Sequence, residues 1–78
     1  MDIKILGSGC AKCQQLEANT TAALAELGLD ATIEKVTDPA EIASWGVMTT
    51  PALVVDDDVL VAGRLPSADD VRDLLRQG

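Results

Sequence analysis

The sequence contains no histidine, no phenylalanine and no tyrosine, and only one tryptophan, Trp45. Each lack removes a class of function. Without a set of rings there is no platform on which the bases of a single strand could stack. Without histidine, the strong soft-metal ligands of one chain reduce to two cysteines, whereas a structural zinc site usually takes four ligands. Positive charge is scarce: six Lys and Arg stand against thirteen Asp and Glu, a net charge of −7. A phosphate backbone needs a basic face, so nucleic acid is not expected as a partner, and an anionic membrane surface is disfavoured. No apolar run approaches the ~20 residues of a spanning helix. Met1-Asp2-Ile3-Lys4 enters a strand pattern directly, without the basic segment, apolar region and cleavage site of a secretory leader. The expectation is a soluble cytoplasmic protein. With 78 residues there is room for one core and one site at its edge, so residues 1–78 read as a single domain, expected as a monomer. That core must be built from Ile, Leu, Val and Ala.

What the chain does have is Gly7-Ser8-Gly9-Cys10-Ala11-Lys12-Cys13, holding its only two cysteines. The pair lies between an apolar strand pattern, Ile3 to Leu6, and a helical pattern, Gln14 to Leu27. A helix start presents unpaired N–H groups and the positive end of the peptide dipole, and both favour an anion. The thiol pKa of ~8.5 falls by roughly one to several units in such a place or in a Cys-x-x-Cys pair. The glycines leave space above the sulfurs, so Cys10 is expected to be reachable and Cys13 more covered. Three readings compete: dithiol–disulfide exchange, metal binding, and a structural staple or inert core thiols. The staple is weak on magnitude, because closing so short a loop constrains the unfolded chain by only about 2 kcal/mol. Inert core thiols do not suit a place between Gly-Ser-Gly and Lys. In a reducing cytoplasm a disulfide is more readily functional than structural. Redox exchange ranks first and metal second.

The remaining chain reads as βαβαββα. Residues 2–6 alternate as a strand, with Ile3 and Ile5 on one face. Leu16, Thr20, Ala23, Leu24 and Leu27 form the apolar stripe of the first helix, which Gly28 ends. Residues 31–36 predict a short strand whose Glu34 and Lys35 suit a sheet edge. Asp38-Pro39-Ala40-Glu41 predicts a cap, a first helical position and a capping-box acid for a helix ending at Trp45-Gly46. Trp45 reads as a packing residue. Residues 52–55 and 59–62 predict a hairpin about Asp56-Asp57-Asp58. Three aspartates suggest a cation site, but Asp accepts turn geometry and no further carboxylate cluster adjoins them in sequence, so they read as a solvated turn. Ser67 caps a last helix whose Ala68, Val71, Leu74 and Leu75 face inward, with Asp69 and Asp70 in its first turn and Arg72 and Arg76 further on.

Three stretches carry a family resemblance: Ile5-Leu6-Gly7-Ser8-Gly9-Cys10-Ala11-Lys12-Cys13, Trp45-Gly46-Val47-Met48-Thr49-Thr50-Pro51-Ala52-Leu53-Val54-Val55, and Gly63-Arg64-Leu65-Pro66-Ser67. On these the chain resembles the small redox-active disulfide proteins, thioredoxin-like or glutaredoxin-like. The resemblance spans nearly the whole chain. It implies a minimal α/β thioredoxin fold, a four-stranded mixed sheet flanked by three helices. It implies that Cys10 attacks, that Cys13 resolves, and that Pro51 is a cis proline facing them. It implies substrate contact at Thr50, through its backbone, and around it at Gly9, Ala11, Lys12 and Gly63. It implies a protein or small-molecule disulfide as substrate, a reductase or small thiol as electron donor, and no cofactor or metal. The chain departs from the pattern in places. Ala11-Lys12 lies between the sulfurs instead of Gly-Pro, and Lys4 stands where many thioredoxins have a buried acid. Only part of the glutathione signature of glutaredoxins is echoed, at Thr49-Thr50-Pro51 and Gly63. The competing reading is a soft-metal module. Small metallochaperones also place Cys-x-x-Cys after their first strand, but they end in a strand, whereas this chain ends in a helical pattern. A thiol sensor that forms the disulfide without passing electrons onward is a third reading.

Overall fold

Alternation along the first strand decides which residues lie on either side of the sheet. In β1 (Asp2–Leu6), Ile3 and Ile5 point to one face and Lys4 and Leu6 to the other. A computed structural model describes residues 1–7 and 11–77, the last by its backbone. In it α1 (Ala11–Leu27) joins β1 to β2 (Thr32–Val36), which runs parallel to β1. Then follow α2 (Pro39–Ser44), the hairpin β3 (Ala52–Val55) and β4 (Asp58–Ala62), and α3 (Ala68–Gln77). β3 lies antiparallel to β1 on its other side, with Ile5 opposite Leu53 and Leu6 opposite Ala52. The sheet order is β2-β1-β3-β4, so β2 is an edge strand, as its Glu34 and Lys35 predict. This is the four-stranded mixed sheet with three helices.

Two apolar clusters sit on opposite faces. On one face Ile3, Ile5, Leu53 and Val61 meet Leu16, Ala23 and Leu24 of α1 and Val71 and Leu75 of α3. On the other, Leu6, Ala52 and Val54 meet Val36, Ile42 of α2 and Val47, with Trp45 packed at the margin. Trp45 is thus a packing residue. Lys4, on that second face, sets its ammonium 5.6 Å from the Trp45 ring centroid and 3.9 Å from Glu34 Oε2. Thr20 lies fully buried in the α1 stripe, and its hydroxyl donates back to Leu16 O at 2.8 Å.

The element ends have local causes. Gly28, at φ +66°, terminates α1 in the left-handed conformation that glycine tolerates best. Asp38 caps α2 by accepting from Ala40 N at 2.9 Å, with Pro39 at the first helical position. Ser67 and Asp70 bond reciprocally at the start of α3: Ser67 Oγ accepts from Asp70 N, and Asp70 Oδ2 accepts from Ser67 N. Asp56 and Asp57 both have positive φ, the geometry of a two-residue hairpin turn whose twist suits the flanking strands. Three expectations shift. β2 starts at Thr32, and Asp58 pairs with Val55 as the first residue of β4. Asp56 is also tied down more than a solvated turn requires, because its carboxylate accepts from Asp2 N at 2.9 Å and its own N–H donates to Asp2 O at 2.8 Å. The turn therefore closes onto the start of β1, a neighbour 54 residues away in sequence.

Candidate active site

Where β1 ends, Gly7 takes over. Its N–H donates to Val36 O at 2.9 Å, which extends the β1–β2 ladder by one step. The helix that follows begins with Ala11 and Lys12 exposed and Cys13 buried. The Cys13 sulfur packs directly on Gly7, and a Cβ built on Gly7 would overlap Cys13 Sγ. The same point lies 3.9 Å from Thr50 Cβ. Gly7, Cys13 and Thr50 therefore meet, although 37 residues separate Cys13 from Thr50 in the chain.

Pro51 comes next, almost wholly buried, and the Thr50–Pro51 peptide bond is cis, the geometry that the family resemblance implies. Thr49 and Thr50 are exposed beside it. Pro51 O accepts from Gly63 N at 2.9 Å. Gly63 has φ +81°, and a Cβ there would overlap Thr49 Oγ1 and stand 3.1 Å from Thr49 Cβ. Both the backbone and the space at this position call for glycine. The segment then runs to Pro66, also buried, whose carbonyl accepts from Asn19 Nδ2 of α1 at 2.9 Å. Three stretches thus converge at one end of the sheet: Gly7 with the start of α1, residues 47–51, and residues 63–66. Of the expected site residues, Cys13, Thr50, Pro51, Gly63, Ala11 and Lys12 are all at this end. Gly9 and Cys10 lie outside the described residues.

Two features escaped the sequence reading. A pocket of about 80 Å³ opens beside Cys13, lined by Gly7, Gln14, Glu17, Lys35 and Thr37 among others. Glu17 and Lys35 are joined across it at 3.2 Å. Half of this was legible, since Glu17 follows Cys13 by four residues and so shares its helix face. Lys35 was not, because its arrival depends on β2 lying next to β1. Asn19 likewise reads as an off-stripe polar residue until the 63–66 segment is seen to cross α1. The position of Lys4 is also clear. It lies on the α2 face with Glu34 and Trp45, while Ile5 of the opposite face lines the Cys13 pocket. Lys4 is therefore not the neighbour of the Cys13 sulfur, and the carboxylate that shares its pocket is Glu17.

The first turn of α1 holds no acidic residue, so nothing there opposes the positive end of the helix dipole. Among the described residues, no group of three or more His, Cys, Asp or Glu is placed to hold a metal ion. No described helix is long and apolar enough to cross a membrane.

A βαβαββα sheet that brings a helix-start cysteine against a loop ending in cis-proline defines a protein of the thioredoxin fold. The chain belongs to the thioredoxin domain family, whose profile matches residues 1–76. It is 45% identical over 74 residues to the thioredoxin of Methanocaldococcus jannaschii, across 95% of this chain and 85% of that one. It is 40% identical over 75 residues to the thioredoxin of Methanothermobacter thermautotrophicus, across 96% of this chain and 97% of that one.

Proposed function

We propose that residues 1–78 act as one thioredoxin-like domain, a thiol–disulfide oxidoreductase working through the Cys10/Cys13 dithiol. The observation that carries this reading is the packing of Cys13 against Gly7 and next to Thr50-Pro51 at the start of α1. It puts a covered thiol, a helix N-terminus and an exposed stretch of backbone at one place. Two relatives called thioredoxins, matched over nearly the whole chain, support it.

The Cys10 thiolate attacks one sulfur of a substrate disulfide. The substrate S–S bond breaks, its other sulfur leaves as a thiolate and takes a proton, and a mixed disulfide forms at Cys10. Cys13 then loses its proton and attacks the Cys10 sulfur. The second substrate sulfur leaves and is protonated. The substrate has gained two electrons and two protons, and Cys10–Cys13 is oxidised. An electron donor, a reductase or a small thiol, returns the pair to the dithiol, and no metal or organic cofactor takes part. During attack an extended substrate segment pairs with the backbone of Thr50 as an added strand. Gly9, Ala11, Lys12 and Gly63 border it.

Substitution of the two thiols tests the division of labour. Cys10→Ser abolishes exchange. Cys13→Ser keeps a nucleophile and accumulates a mixed disulfide, visible by mass spectrometry after incubation with an oxidised substrate. Equal alkylation rates of both thiols at neutral pH would overturn the assignment. Turnover of the oxidised protein with a thioredoxin reductase system, compared with glutathione, identifies the donor class. Zinc or copper bound tightly at one per chain or one per dimer, surviving dialysis, would favour the metal-binding reading instead.

A further inference from the structure

Thirteen carboxylates are spread over this chain, yet none occurs in residues 7–13, 47–51 or 63–66, the three stretches whose described residues converge at the Cys13 end of the sheet. Those stretches contain two cations, Lys12 and Arg64. Three of the other four cations are occupied by internal acids: Lys4 by Glu34, Lys35 by Glu17, and Arg72 by Glu26 at 2.9 Å. Lys12 and Arg64 are exposed and form no ion pair among the described residues. Met48, in the 47–51 stretch, is 96% exposed and the most exposed large apolar side chain described.

Further carboxylates follow β2 and β4 at this end of the sheet; Glu41, exposed in the first turn of α2, is in no ion pair among the described residues, whereas three others are engaged. Asp38 caps α2, Asp69 Oδ1 lies 3.5 Å from Arg72 Nη1, and Asp70 accepts from Ser67 N. The opposite end of the sheet carries Asp2, Asp30, Asp56, Asp57 and Asp58. A strongly acidic protein thus presents two of its three cations without an ion pair among the described residues, Lys12 and Arg64, and one bare apolar side chain on the stretches that converge at the candidate site.

We propose that Lys12, Arg64 and Met48 form a selecting rim for protein disulfides flanked by Asp or Glu and by an apolar residue. The inference rests on the oxidoreductase reading of Cys10 and Cys13. Its physical content is local. At physiological salt the screening length is about 8 Å, so the charges nearest the docked segment decide its energy, while the distant acids are largely screened. Complementary charge at the contact gives selectivity and register more than bulk affinity.

Three disulfides test this against each other: neutral hydroxyethyl disulfide, a cystine-looped peptide flanked by Glu and Leu, and the same peptide with Lys for Glu. At 0.15 M salt the Glu peptide is reduced about fivefold faster than the Lys peptide, the product of two exposed charge contacts. The ratio falls towards one at 1 M salt, where the screening length is about 3 Å. Lys12→Glu with Arg64→Glu inverts the ratio. Met48→Ser lowers both peptide rates more than the hydroxyethyl disulfide rate. Arg76→Glu, at the far end of α3, leaves the ratio as it was. Equal rates for the two peptides, or a preference that survives the Lys12/Arg64 reversal, would overturn the rim. Failure to reduce even hydroxyethyl disulfide would overturn the oxidoreductase reading instead. In that case a thioether-bridged Glu peptide, which cannot exchange, still decides the rim: its dissociation constant rises several-fold in the double variant, or the rim is wrong.

Discussion

Replacing Gly7 by alanine would drive a methyl group into the Cys13 sulfur. The sulfur is buried in the first turns of α1 and Gly7 is bonded to Val36, so neither moves aside freely. The expected cost is about 1–3 kcal/mol, as for other overpacked interiors, read from the urea midpoint. Gly7→Ala also changes the alkylation rate of Cys13, because the helix start must shift to make room. An unchanged midpoint and an unchanged rate together would show that the overlap relaxes elsewhere. At Gly63 the difficulty is double. Its φ of +81° penalises any side chain, and Thr49 occupies the space. Gly63→Ala therefore displaces Thr49 and with it the exposed Thr49-Thr50 backbone. The expected result is a loss of peptide-disulfide reduction larger than any loss of hydroxyethyl disulfide reduction, since the smaller substrate needs less of that backbone.

At the scale of elements, the caps were legible and the crossings were not. Ser67 followed three residues later by Asp70 announces a helix start, and the reciprocal bonds are there. Ser67→Ala should cost about 1 kcal/mol, measured by denaturant unfolding. The helix stripes and the hairpin could be read from periodicity because each is a local pattern. Sheet order is not local. Nothing in the spacing of residues 32–36 and 52–55 says that β1 lies between them, and so the Glu17–Lys35 pairing beside Cys13 could not be foreseen. The same holds for the contact between α1 and α3, where Arg72 reaches Glu26 across 46 residues of chain. The Arg72 guanidinium also lies 3.5 Å from Asp69 and, through Nε, 3.5 Å from Asp73, a charge contact that lacks hydrogen-bond geometry. The hydrogen bond to Glu26 comes first among the causes that hold its pKa above the usual arginine range. A raised pKa contributes stability that is present throughout below the ordinary value and lost only as pH climbs through the folded one. Between pH 7 and 10, then, the stability difference between the wild type and Arg72→Met stays constant. A difference that shrinks over that window would show that it does not come from the charge of Arg72, which stays protonated throughout.

At the scale of the molecule, the sheet divides the apolar interior into two unequal parts. The larger lies under α1 and α3, and Leu53, with no exposure, is among its residues. Leu53→Ala should cost about 2–5 kcal/mol, a large share of what so small a domain has, and thermal unfolding would register it as a sharply lowered midpoint. The candidate site was legible in part. The two cysteines, Thr50-Pro51 and Gly63 stand out by residue type. Asn19 and Lys35 do not, because an exposed polar residue looks the same in sequence whether or not the fold carries it to the stretches around Cys13. The smaller part, with Ile42 and Val47, lies behind the sheet and holds Trp45. With no tyrosine in the chain, that one indole is the whole of its intrinsic near-ultraviolet emission. It sits on the far side of β1 from the Cys13 pocket, with an ammonium 5.6 Å from its ring. The molecule therefore carries a lamp that illuminates only its back layer. Emission followed during heating reports the release of α2, whereas far-ultraviolet dichroism is dominated by α1 and α3. Should the back layer loosen first, the two optical transitions will separate, and the gap in temperature will measure how tightly the sheet couples its two sides.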